Sequence, residues 1–282
     1  MYLYSLYPKH LFSLRKISVS ILIVFLPLTG YSGNPYRFPN GAAGAGMGSL
    51  CTIRQGFWSS FNNPALLSYN QSFMAGVNYE NRFFMSELST RTIGVILPAG
   101  NASAGIHYSN FGYSNFRRES AGIASGLMLS ENISAGIRLD YLSEKTSGEY
   151  DNHRHITFEA GITFTVPPGV IIGVKLFNPL PNSLRESGMP SSLSAGAGLE
   201  LGDALFAGAE AEMVTGGEIN LRTGFEYEVV KSFWLRGGFS TENSSFSFGL
   251  GYLLRSVRID LSFATHEKLG VTTGVSLIIK IR

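Results

Sequence analysis

The stretch Val271-Thr272-Thr273-Gly274-Val275-Ser276-Leu277-Ile278-Ile279-Lys280-Ile281-Arg282 alternates without a break. Val271, Thr273, Val275, Leu277, Ile279 and Ile281 fall on one side. Thr272, Gly274, Ser276, Ile278, Lys280 and Arg282 fall on the other. A period of two is that of a β-strand, whose successive side chains point to opposite faces. One face is apolar; the other is small, polar or cationic. The architecture turns on which of them meets water.

Working back from this stretch, the pattern recurs to Ser72. It divides the chain into fourteen strand-like segments: 72–83, 87–97, 102–111, 118–129, 133–143, 154–166, 170–178, 191–201, 204–214, 218–229, 233–241, 244–254, 256–265 and 270–281. Tight turn signals follow the even-numbered segments: Pro98-Ala-Gly-Asn101, Ser130-Glu-Asn132, Pro167-Pro-Gly169, Gly202-Asp203, Val230-Lys-Ser232 and Arg255-Ser256. The other connections vary more, and the longest are 109–117, 143–153 and 178–190. Short turns on one side and longer loops on the other are the habit of an outer-membrane barrel. An even strand count leaves both ends on the short-turn side. Ten tilted residues at about 3.3 Å each cover the apolar band of roughly 25 Å.

The polar faces favour a barrel over a soluble sandwich. Ile133, Ala135, Ile137, Leu139 and Tyr141 oppose Ser134, Gly136, Arg138 and Asp140; Phe246, Phe248, Leu250 and Tyr252 oppose Ser245, Ser247, Gly249 and Gly251. A solvated sheet face would carry more Lys and Glu. Charged residues make up only 15% of the chain, against about 25% in ordinary soluble domains. We therefore expect an all-β, transmembrane, antiparallel up-and-down barrel of about fourteen strands over residues 72–282, apolar side outward.

Glycines occupy matching heights on the polar faces: Gly76, Gly94, Gly105, Gly126, Gly136, Gly161, Gly173, Gly198, Gly208, Gly224 and Gly249. Barrel closure would gather them into a luminal belt near the short-turn mouth. A glycine within a strand often marks the close approach of another backbone. The belt either relieves crowding and lets the strands coil, or makes room for residues 33–71, rich in Gly, Ala, Asn and Pro, folded into the lumen as a plug; the plug is the reading we adopt. Within that plug a short helix is expected near Pro64–Tyr69, with Asn63 as N-cap and Pro64 at N1. Twelve charged residues are also expected to face the lumen: Arg138, Asp140, Glu159, Lys175, Glu200, Glu210, Glu212, Arg222, Glu226, Arg236, Arg258 and Asp260. Glu80, Glu228 and Lys280 share that face. Buried charges must pair or stay wet. The lumen is therefore either a network tying plug to wall or a watered path, and Arg222 with Glu210 is one expected pair.

Lys9, Arg15 and Lys16 precede the short apolar run 17–28, and small residues follow. This reads as a secretory signal peptide over residues 1–32, cleaved near Ser32. Its removal takes three of the 22 basic residues and none of the 20 acidic ones, leaving a net charge of about −1. The basic balance of the whole chain therefore implies no nucleic-acid partner. Cys51 is the only cysteine, which excludes an internal disulfide; we read it as a packed thiol.

Asn40-Gly-Ala-Ala-Gly-Ala-Gly-Met-Gly48, followed by Phe61-Asn-Asn-Pro-Ala-Leu66, resembles the start of the FadL-like outer-membrane family. That family includes long-chain fatty acid transporters and the PorV/PorQ proteins of type IX secretion systems. The resemblance implies a fourteen-stranded barrel in a Gram-negative outer membrane, with Asn62, Asn63, Pro64 and Ala65 in a luminal hatch. It implies passage or binding of small hydrophobic molecules, or service as an anchor for secretion-system proteins. The chain departs from the family in its short outward loops and in ending on Arg282 rather than an aromatic residue. A secreted β-sandwich adhesin is the remaining alternative.

Catalytic and cofactor motifs are lacking. Gly44-Ala-Gly-Met-Gly48 follows no strand and has no Lys-Ser/Thr after it, so it is no phosphate loop. His153 and His155 lack a third metal ligand. His107 and Ser109 share a polar face without a nucleophile elbow or third partner. We expect no enzyme, no cofactor and no metal; the partners expected are the bilayer and either a small hydrophobic ligand or secretion-system proteins.

Overall fold

The computed structural model describes residues 34, 36–147, 152–166, 169–179 and 189–281, the Asn243 side chain excepted. The signal-peptide expectation for residues 1–32 lies outside them. The described residues form fourteen strands: β1 Phe73–Arg82, β2 Ser89–Ala99, β3 Ala102–Gly112, β4 Phe116–Ser130, β5 Ile133–Thr146, β6 His153–Val166, β7 Val170–Phe177, β8 Ser192–Leu201, β9 Leu205–Val214, β10 Ile219–Val230, β11 Phe233–Ser240, β12 Ser245–Leu254, β13 Val257–His266 and β14 Gly270–Ile281. Each pairs antiparallel with the next, and β1 closes on β14 from Phe73↔Ile281 to Arg82↔Thr272. Closure removes the edge that an open sheet would present. The ladders slip only between Met128 and Ser130 and between Glu228 and Val230. Both slips adjoin short turns, where a bulge tightens the bend.

The turns show why glycine stands where it does. Gly100 and Gly202 have φ of +67° and +63°, and no atom lies within 4 Å of an added Cβ. Backbone conformation, not space, selects glycine there.

The faces sort as the alternation requires. Ile123, Ile137, Ile156, Phe246 and Val77 are exposed on the outside. Asn78, Thr92, Ser134, Arg138, Asp140 and Arg222 are buried on the inside. This inverts the arrangement of a soluble protein and is stable only where hydrocarbon meets the outer face, with every strand hydrogen bond made within the closed wall. No helix among the described residues is long and apolar enough to cross a membrane; the barrel crosses with strands.

The buried apolar side chains belong mostly to residues 36–71, inside the barrel. Phe38, Phe57, Trp58, Phe61 and Leu67 pack with Ile96, Ala124 and Ile278 of the wall. Met47, Leu50 and Ile53 pack with Ile171 and Phe206. Two short helices, α1 Gly41–Ala45 and α2 Ser59–Asn62, were not expected from the sequence. Pro64–Tyr69 is a 3-10 helix. Asn63 caps it, its Oδ1 accepting from the Ala65 amide at 3.2 Å, and Leu66 N donates to Asn63 O at 3.0 Å. A six-residue piece opened by proline closes on i→i+3 bonds readily.

Candidate functional site

The site is the lumen, and the glycine belt determines how tightly it fills. Rings of Phe57 and Phe61 lie over Gly76, Gly94 and Gly105. Asn63, Pro64, Ala65 and Leu67 lie over Gly126, Gly136 and Gly161; a Cβ on Gly136 would come 2.6 Å from the Ala65 amide nitrogen. Thr52 and Ile53 face Gly173 and Gly208, and Met47 and Gly46 face Gly224 and Gly249. Gly198 differs, since its nearest neighbour is the Phe206 ring of the adjacent strand, with Ile53 farther off. Gly238 is a further close approach, against Gly48, that the sequence reading missed. It lies two residues beyond the inward Arg236, so parity alone places it on the luminal face.

The Asn62–Ala65 motif is tied on both sides. Asn62 Nδ2 donates to the Pro39 and Trp58 carbonyls, both at 3.3 Å. Asn63 Nδ2 donates to Thr52 O at 2.6 Å. The Ala65 carbonyl accepts from Ser134 Oγ of the wall at 3.0 Å. One motif thus joins two parts of the segment and fastens both to β5.

Three charge clusters line the wall. Arg138 binds Asp140 at 2.8 Å and Glu159 at 2.6 Å, and His107 Nε2 lies 3.0 Å from Asp140. Arg222 binds Glu210 at 3.1 Å, Glu242 at 3.3 Å, and Glu212. Arg236 bridges Glu226 at 2.6 Å and Asp260 at 2.8 Å, and Arg258 reaches both. Lys175 stands apart from these pairs, its Nζ 3.8 Å from Cys51 Sγ. Glu200 faces inward but is half-exposed at the short-turn mouth, 3.3 Å from Arg54.

Residues 33–71 contain two arginines and no acid, and each arginine joins a wall cluster. Arg37 binds Glu212 and, at 3.0 Å, Glu242. Arg54 binds Glu226 and Glu200. Neither arginine was singled out from the sequence, although a purely cationic segment beside an acid-rich lumen was the available signal. Glu242 sits in the loop before β12, and the Arg37 guanidinium holds its carboxyl below the usual range, against some opposing burial. Cys51 donates its backbone N–H to Glu210 at 3.1 Å. Burial, reinforced by Glu210, pushes its thiol up to about 11, so it stays protonated at neutral pH.

Two cavities flank the segment. On the long-loop side a cavity of about 550 Å³ has Tyr36, Arg37, Phe38 and Asn40 in its floor and Glu80, Ser109, Phe111, Arg118 and Leu142 in its walls. On the short-turn side one of about 220 Å³ is lined by Arg54, Glu200, Phe206, Glu226 and Trp234. Residues 36–71 lie between them. Phe38 stands at the base of the upper cavity, its ring 4.4 Å edge-on from His107 and under the Arg138 guanidinium.

No protein-family model and no curated protein matches the chain. Solved structures do. The toluene transporter TbuX of Ralstonia pickettii is 13% identical with a TM-score of 0.62, over 87% of this chain and 98% of that one. A FadL homologue of Pseudomonas aeruginosa is 12% identical with a TM-score of 0.64, over 86% and 98%. The toluene transporter TodX of Pseudomonas putida is 10% identical with a TM-score of 0.65, over 87% and 99%. At such identities the likeness is one of fold.

Proposed function

We propose that this chain, whose fold is that of the FadL-like outer-membrane barrels, admits small hydrophobic molecules across a Gram-negative outer membrane without chemical change. In this reading residues 1–32 direct export, residues 33–71 form a hatch, and residues 72–282 form the conduit. The observation that carries it is the cavity of about 550 Å³ above a lumen closed by a non-covalently held segment. A pocket of 300–1,000 Å³ suits one small molecule. Tyr36, Phe38, Phe111 and Leu142 offer it apolar contact. Passage then needs the segment to shift, breaking the Arg37 and Arg54 ion pairs while the wall stays hydrogen-bonded. The related folds include transporters whose names specify toluene, which makes toluene the natural probe.

The test is uptake of labelled toluene by intact Gram-negative cells that have no such transporter of their own. Expression of this chain should raise the uptake rate. Ser109→Trp, which fills the cavity, should return it to the background while the barrel still forms. Unchanged uptake on expression would defeat the passage reading. A secretion-system anchor of the PorV/PorQ kind would then be the reading to pursue, by co-purification of partner proteins.

A further inference from the structure

We infer that the outer wall over β2–β6 binds the phosphate headgroup of an anionic lipid in the leaflet on the long-loop side. Strand pairing assigns every outward position of the described strands. Among them the charged residues are Arg91, Arg117, Glu119, Lys145 and Arg154, all on β2, β4, β5 and β6. Four are cations and one is an acid. Each lies within four residues of the long-loop end of its strand.

Register places them in a row. Arg91 pairs with Asn110, Asn110 with Glu119, Glu119 with Ser143, and Ser143 with Arg154. One step nearer the loops, Arg117 pairs with Lys145. At roughly 4.8 Å per strand the row spans about 19 Å. Tyr79 pairs with Arg91, and Tyr108 and Tyr141 lie one step deeper in the apolar band. Tyrosines at that height mark the membrane–water boundary. The cations therefore sit at headgroup depth, where an outward arginine costs little.

Glu119 cannot neutralise them. It already accepts from Tyr108 Oη at 2.7 Å and lies 3.8 Å from Arg117 and 3.7 Å from Lys145. Arg91 and Arg154 are exposed and have no ion-pair partner among the described residues. The wall also holds a trough of about 440 Å³ here. Val77, Ile93 and Tyr108 line it with Asn78 and Thr92, and Arg91, Asn110 and Arg117 rim it. An apolar trough under a cationic rim fits an acyl chain below a phosphate. Guanidinium groups suit phosphate through paired N–H donors.

The test uses the full chain in neutral detergent, with bound lipid read by native mass spectrometry. The probes are phosphatidic acid, the diacylglycerol with the same chains, and inorganic phosphate. Phosphatidic acid should be retained and diacylglycerol should not. Arg91→Gln with Arg117→Gln, Lys145→Gln and Arg154→Gln should weaken binding at least ten-fold. Arg91→Gln and Arg154→Gln alone should each weaken it several-fold, which keeps the test decisive should the quadruple variant fold poorly. Lys231→Gln with Arg255→Gln, at short turns, should change nothing. Equal retention of both lipids, undiminished binding by the Arg91 and Arg154 variants, or full displacement of the lipid by millimolar inorganic phosphate would each overturn the inference.

Discussion

The two halves of the lumen are built from the same strands and filled in opposite ways. Toward the short turns, glycines admit the backbone of residues 46–67 to van der Waals contact with the wall. Toward the loops the same inward faces carry Thr90, Ser109, Ser120 and Arg118, and a cavity remains. Ser109 and Gly105 stand four residues apart on one face of β3, one beneath the cavity and the other beneath the Phe61 ring. The difference teaches that side-chain volume along a strand decides where a barrel is sealed. The apolar band of the outer face is indifferent to that choice; charges enter that face only at the long-loop ends of β2 and β4–β6.

The sharpest break in this contrast should come from Phe61→Ala. Phe61 is wholly buried among Phe38, Phe57 and Trp58. Its truncation should cost about 3–5 kcal/mol, measured by reversible guanidinium unfolding in vesicles. Ser120→Leu in the open half should cost almost nothing, and similar losses at both sites would erase the distinction.

Next in size is Gly136→Leu, which drives a side chain into the Pro64–Ala65 peptide. Overpacking of this kind costs about 1–3 kcal/mol. The segment should be displaced while the barrel persists. Maleimide should then label Cys51, which in the native protein is buried and protonated and should react slowly at pH 7. Slow labelling of the variant would argue that the segment tolerates the intrusion.

Arg54→Gln should weaken the lower anchor, leaving Glu226 with Arg236 and Arg258. Because those partners remain, the loss should be about 1–2 kcal/mol, at or below the lower end of the range for a charged hydrogen bond, about 1.5–3 kcal/mol. The expected readout is faster protease cleavage within residues 36–71.

The smallest effect is acid-dependent. The folded-state pKa of Glu242 is depressed, chiefly by Arg37. Its stabilising contribution is therefore complete above the unfolded carboxylate value of about 4.3 and fades as pH falls through the lower folded value. At a partly exposed pair this amounts to at most about 1 kcal/mol. Glu242→Gln should flatten that part of the stability profile below pH 5; an unaltered profile would mean that Arg37 relies on Glu212 alone.

Much of this was legible in the chain as written. Each of the fourteen strand segments read from alternation overlaps one strand, and 270–281 coincides with β14. Face assignment followed as well, because a period of two makes inward and outward a matter of parity. Arg222 beside Glu210 was within reach for the same reason, since their strands are neighbours joined by a short loop. The internal helices were harder. The run Gly41–Ala45 has no apolar periodicity to announce a helix, and it folds as one against β12, β13 and β14.

What the sequence determined by itself, then, was a lipid-facing barrel of fourteen strands and the side of each strand that looks inward. Tertiary structure alone decided which inward groups meet: Arg37 with Glu212 across 175 positions, Ala42 with Ser276 across 234, and Gly48 with Gly238. The physical reason lies in the ladder itself. A slip of one residue would turn the apolar face into the lumen and is forbidden by hydrophobicity. A slip of two keeps both faces intact and exchanges every partner, so only the assembled wall and the segment packed within it select the register.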